Sequence, residues 1–191
     1  MKSLPLDLDM LLRTVAYHYA EMHHAPDTLR VEASYDAFKR SLLWQWDVLV
    51  SFVSVEFVEV DPYASSSAMF EDIWKRSRLR VYVSAELPIN HPLVDIHRPT
   101  GQTFNTVFRA IHDGLAHYPG LHSFGPLGEF RAFKAHARML GTDYLAIMAL
   151  ATETLGQNAY YHCGPLPGTF APQKAGILPS SIVAMALKLS V

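Results

Sequence analysis

The chain has one cysteine, Cys163, among 191 residues. That excludes an internal disulfide framework and a cysteine-rich zinc module, and it suits a reducing compartment. Charge of either sign is scarce. Sixteen Lys and Arg against 18 Asp and Glu leave a formal net charge of -2, so no chain-wide basic field marks a long phosphate backbone as the partner, and no nucleic acid is indicated. Long apolar runs are also missing. The longest, Tyr144 to Ala151, stops at Glu153, short of the roughly 20 residues a membrane span needs. Met1-Lys2-Ser3-Leu4-Pro5 lacks a cationic region followed by an apolar run, so no signal peptide is expected and the expected location is the cytoplasm. Low-complexity tracts and internal repeats are absent too.

Half of the residues are hydrophobic, which is ample for one buried core, and residues 1–191 read as a single domain. Leu8, Leu11, Leu12, Val15, Tyr19 and Met22 fall at helical spacing over residues 7–23, and Pro26 ends that element. A second helix is expected from Ser34 to about Val50, with Phe38, Leu42, Trp46 and Leu49 on one face. The β-branched stretch Val53–Val60 reads as a strand, Ser67–Ser77 as a helix, and Leu79–Val83 as a second strand able to pair with the first. Residues 1–85 thus form a small α+β layer. Prolines 88, 92 and 99 argue for an ordered loop over 86–102. Residues 103–191 read as helices over about 103–117, 128–140 and 143–162, a Gly/Pro-rich loop, and a short helix from Ser180. Pro119-Gly120 and Gly141 are the expected stops of the first two. The fold class is mainly α, an α+β chain with a few-stranded sheet.

Half of the ten histidines lie between 112 and 162, and chemistry is sought there. His112 and His117 lie five apart near a helix end. On an ideal α-helix that spacing separates them by about 140°, so they converge only if the helix loosens, which Gly114 and Pro119 permit. Asp113 and His117, four apart, converge without distortion. Glu153 follows an apolar stretch that must be buried, and there a carboxylate needs a cation, a metal or a dense set of donors. Gln157 sits one turn later on the same face. Glu129 and His136, seven apart, share a helical stripe and would supply a second metal position or orient ligands from outside. The bland readings are a helix-end histidine pair, a solvated Glu129–His136 face, and Glu153 in a salt bridge with Arg109 or Arg131.

These residues resemble a known arrangement. His112-Asp113-x-x-x-His117, followed by Thr152-Glu153 with a glycine close behind, is similar to the iron site of the pterin-dependent aromatic amino acid hydroxylases. Ala175-Gly176-Ile177-Leu178-Pro179-Ser180-Ser181 resembles that family's segment beyond the glutamate. The resemblance covers roughly residues 109–181 and implies His112, His117 and Glu153 as ligands of a non-haem Fe(II), with Asp113 near a pterin. Upstream, Thr106-Val107-Phe108-Arg109 departs from the family's pattern, and the 129–136 stretch has no counterpart in it. Substrate and cosubstrate therefore do not carry over, and a pterin-like or other reductant is unsupported. The whole chain also resembles a group of uncharacterised actinobacterial and phage proteins with similar Phe-Arg-x-x-His-Asp, Thr-Glu-x-x-Gly-Gln and Gln-Lys-Ala-Gly elements.

The first functional expectation is an Fe(II)-dependent, monooxygenase-like enzyme acting on a small or aromatic molecule through two histidines and a glutamate. The second is a hydrolase using Zn, Mn or Mg, with Asp113, Glu129 and His136 joining the cluster. The third is a non-catalytic structural or interaction protein whose polar cluster is a hydrogen-bond network. Tyr118, Phe124, Phe130, Phe133, Tyr160 and Tyr161 are candidate pocket walls, several of them core. The 164–173 loop is a candidate lid, with Lys174 offered to an anionic substrate.

Overall fold

The computed structural model describes residues 6–83 and 87–190, with the side chain of Leu6 left out. The readings at Met1–Pro5 and Glu86 lie outside these residues. The chain is mainly helical, as expected. Helix α1 (Leu6–Glu21) is followed by α2 (Leu29–Val50), which begins five residues before the expected Ser34. Tyr35, Phe38, Leu42, Trp46 and Leu49 form its buried stripe. Helix α2 packs along α7 (Tyr144–Ala151), and α1 packs along α8 (Gln157–Cys163). Small side chains make the first contact close: Ala146, Ala149 and Ala151 are fully buried in α7, leaving room for the aromatic rings of α2.

Strands β1 (Ser54–Val58) and β2 (Arg78–Tyr82) do pair, and they pair in parallel, Ser54 opposite Arg78 through Val58 opposite Tyr82. A parallel pair needs a crossover. Helix α3 (Ser66–Arg76) supplies it, capped by the Ser65 side chain and ended by Ser77 in the left-handed region at φ 48°. Within the proline-rich loop lies a short antiparallel pair, β3 (Ile96–His97) and β4 (Gln102–Thr103), which periodicity could not resolve at two residues each. Helices α4 (Phe104–Ile111), α5 (Tyr118–Gly120) and α6 (Pro126–Met139) follow, and α9 (Ser180–Lys188) closes the core. The stops expected at Gly120 and Gly141 hold: Leu121 (φ 49°) and Gly141 (φ 60°) turn the chain left-handed.

One buried charge ties the α+β layer together. The Asp72 side chain on α3 is 2% exposed. It accepts from Arg76 (2.8 Å), Arg78 (3.1 Å), Arg80 (3.1 Å) and the Tyr63 hydroxyl (3.0 Å). Arg78 and Arg80 stand on one face of β2 while Leu79 and Val81 enter the core from the other. Burial pushes the Asp72 carboxyl up, and these donors outweigh it, holding the group well below the usual carboxylate range.

No helix among the described residues is long and apolar enough to cross a membrane.

Candidate metal centre

The histidine pair converges because the helix changes type. Between α4 and α5, residues His112–His117 form a π-helical turn. Hydrogen bonds from i to i+5 stack residues five apart, where an α-helix would splay them. Two residues favour the widening. Gly114 lies against Leu49, to which a β-carbon would come within 2.3 Å, and Pro119 has no N–H to direct at the carbonyl of Leu115. The rings of His112 and His117 end 4.9 Å apart, centre to centre.

The third group is Glu129, in the first turn of α6. Its Oε2 lies 3.3 Å from His117 Nε2 and 3.8 Å from His112 Nε2. One ligand atom from each of the three residues falls within 4.8 Å of the others, the spacing of donors around a single ion. The far nitrogens of the rings decide what the near ones offer. His117 Nδ1 is 2.8 Å from the carbonyl oxygen of His122, which can only accept, so Nδ1 carries a proton and the neutral ring presents a bare Nε2. His112 Nδ1 lies 3.2 Å from His136 Nδ1, and His136 Nε2 donates to Gln45 Oε1 at 2.8 Å. That relay places the proton of His112 on Nδ1 and leaves its Nε2 bare. The atom is buried and has no hydrogen-bond partner. Two imidazole lone pairs and a carboxylate therefore face one another, an arrangement that is repulsive unless a cation sits between them. The residues present fit a divalent metal.

Without a metal, only a proton can serve. Burial pushes the His117 ring down, but Glu129 outweighs it and holds the ring above its ordinary value. His112 stays below its own because burial dominates. Burial raises the Glu129 carboxyl, and the two imidazoles more than offset this, bringing it to about 2.

Glu129 reaches the pair because α6 starts close beside the preceding loop. A β-carbon on Gly128 would sit 2.0 Å from the backbone oxygen of Ser123 and 2.6 Å from its nitrogen. Backbone cannot yield as a flexible side chain would. Gly128→Ala is therefore expected to cost about 1–3 kcal/mol and to weaken metal binding by shifting Glu129 away from His117; urea denaturation and metal competition titrations measure the two effects. In the relay, Gln45→Leu removes the acceptor that orients His136. It is expected to lower metal affinity by roughly 10–100-fold, read by the same competition titration.

Glu153 has other neighbours and is not one of the three converging groups. It lies in a second π-helical turn, Thr152–Gly156, between α7 and α8. Its carboxylate accepts from the Tyr35 hydroxyl and from Gln157 Nε2 (2.8 Å), and His91 Nε2 lies 3.3 Å away. Because the Leu93 N–H donates to His91 Nδ1, the proton of the neutral His91 ring is on Nε2, which lies close to the carboxylate without a hydrogen-bond partner among the described residues. The dense donor set is thus the solution found for this buried charge. Burial and Glu153 together hold the Tyr35 hydroxyl well above its ordinary value.

The remaining expected residues take outer places. His136 touches the site only through His112, and Gln157 serves Glu153 and Gln173. Asp113 is half-buried beside the ligands, its carboxyl raised by burial to about 6, and it is not among the converging atoms. Phe124 meets the edge of His117 at 5.3 Å and Phe108 flanks His112 at 5.8 Å, whereas Phe130 and Phe133 are core. Lys174 is not offered to a substrate: it donates to the carbonyls of Tyr19 (3.0 Å) and Ala20 (2.8 Å) at the C-terminal end of α1, where a cation is favourable. Gln45, His91 and Tyr35 gave no signal in the sequence, since each meets its partner across a long sequence separation.

Comparison of the chain with protein-family models, with curated proteins and with solved structures finds no match.

Proposed function

We propose that this protein binds one divalent metal ion through His112, His117 and Glu129, and that the centre serves an oxygen-activating, monooxygenase-like reaction on a small substrate. The observation that carries the reading is the convergence of two bare imidazole nitrogens on one carboxylate, each ring fixed from behind by its own acceptor. Two neutral imidazoles and one carboxylate occupy one face of an ion and leave the others open, the donor set non-haem Fe(II) oxygenases use. A bound iron would supply electrons to oxygen. The chain's own residues orient the ligands, through His136, Gln45 and the His122 carbonyl, and wall the site with Phe108 and Phe124. Glu129 stands here in the role first expected of Glu153.

The same three ligands also suit a catalytic zinc ion, and one observation favours a hydrolytic reading: a cationic cleft lies along α6 and reaches Gly128, the residue before Glu129. Here the metal would activate water, without Asp113 or His136 as ligands.

The test is to load the metal-free full chain with Fe(II) under air-free conditions and then follow oxygen consumption. Oxygen uptake that His117→Ala abolishes supports the oxygenase reading. Inertness towards oxygen together with ester or phosphoester hydrolysis by the Zn(II)-loaded chain replaces it with the hydrolytic one.

A further inference from the structure

Along α6 and the turn before it lies a cleft of about 500 Å³, lined by residues including His122, Ser123, Arg131, Lys134 and Arg138. Its volume is within the range of small-molecule sites. The three cations come from one stripe of α6, at spacings of three and four residues. Among the described residues, no carboxylate lines the cleft. Among the described residues, none lies within 4.0 Å of the charged atoms of Arg131, Lys134 or Arg138. The chain as a whole carries a net charge of -2, so these three cations are a local concentration of the opposite sign. Their mutual repulsion is tolerated where an anion relieves it. The crowding is visible in one group. Lys134, half-buried and donating to the Leu189 carbonyl, is held below its ordinary value by burial and then by Arg138.

We propose that this cleft binds the phosphate group of a small molecule, with Arg131, Lys134 and Arg138 as its charged contacts and His122 and Ser123 beside them. Paired guanidinium forks match a tetrahedral oxyanion, and three cations suit more than one negative charge. The concave site and the chain's net negative charge oppose a long polyanion, whose backbone needs an extended basic track. The cleft also touches the metal centre, because the carbonyl of His122 accepts the Nδ1 proton of His117.

Calorimetric titration of the full chain with inorganic pyrophosphate, at constant ionic strength, tests the site. The chain is titrated both metal-free and Zn(II)-loaded. Saturable binding at one site is expected in both, with dissociation constants agreeing within about twofold, and Arg131→Gln with Arg138→Gln weakens it by roughly tenfold or more. Both arginines are exposed, so the fold should tolerate the changes; if the double variant misfolds, each single variant is still expected to lose severalfold. Absence of saturable binding overturns the proposal. So does an equal loss from Arg40→Gln on α2, which would show only a general field, or binding confined to the metal-loaded chain, which would place the anion on the ion. A single-stranded oligonucleotide binding more tightly than pyrophosphate at physiological salt would overturn the small-molecule reading.

Discussion

Glu129→Gln is expected to abolish binding at the proposed metal site and to leave the metal-free chain folded, destabilised by about 1–3 kcal/mol through loss of its charge beside His117 and His112. The geometry limits that cost. In the metal-free protein Glu129 Oε2 faces the Nε2 of His117 at 3.3 Å, and a glutamine can turn its amide N–H towards that nitrogen when the ring is neutral. The metal loses its only carboxylate, so affinity should fall by more than about 100-fold, beyond the range typical of outer residues that merely orient ligands. Thermal melts display both effects together. Metal at a hundredfold excess over its dissociation constant adds about 2.7 kcal/mol to the wild type, a rise of roughly 5–10 °C for a chain of this size. The variant should show no rise. A group present only for the fold would show the stability loss with no metal-dependent rise in either chain.

The second large effect is expected far from the metal. Asp72→Asn should destabilise the protein by about 2–3 kcal/mol at neutral pH, less than the full loss of a buried pair because the partner guanidinium groups are partly exposed and recover water. The effect is pH-dependent in a definite sense. The folded-state carboxyl is depressed by Arg76, Arg78, Arg80 and Tyr63 against burial, so its stabilisation is complete above the unfolded value near 3.9. It is lost as the pH falls below that value towards the lower folded one. Urea denaturation at pH 7 and at pH 3 should show the gap between wild type and variant narrowing on acidification. A gap that is constant or widens would mean that Asp72 acts through shape alone.

Much of the fold was legible because its signals are local. The helical spacing in α1 and α2, the stops at Gly120 and Gly141 and the strand-like alternation of Arg78-Leu79-Arg80-Val81 each depend on near neighbours. Parallel pairing of β1 with β2 follows from the helix lying between them. The two-residue strands β3 and β4 are too short to carry a period, and the long-range hydrogen bonds that complete the buried sites leave no periodicity at all.

The site was legible in part, for the same reason. His112 and His117 announced themselves, and Gly114 with Pro119 pointed to a loosened helix; the π-helical turn is the form it takes. Glu153 read as the strongest carboxylate because its apolar surroundings demanded a partner. The demand was real, but it is met by Gln157, one turn away, and by Tyr35, 118 residues earlier in the chain, which a local reading does not connect to it. Glu129 looked ordinary, at the start of a helix of mixed polarity. Its signal was the shared stripe with His136, which predicted a place near the histidines without saying which of the two would face an ion.

Metal content by elemental analysis of the full chain purified without air, alongside Glu129→Gln and Glu153→Gln, tests the central claim most directly. About one divalent ion per wild-type chain, retained in Glu153→Gln and lost in Glu129→Gln, is the expected result. A wild-type chain that takes up no Fe(II), Zn(II) or Mn(II), or an ion lost with Glu153 and kept without Glu129, would contradict it.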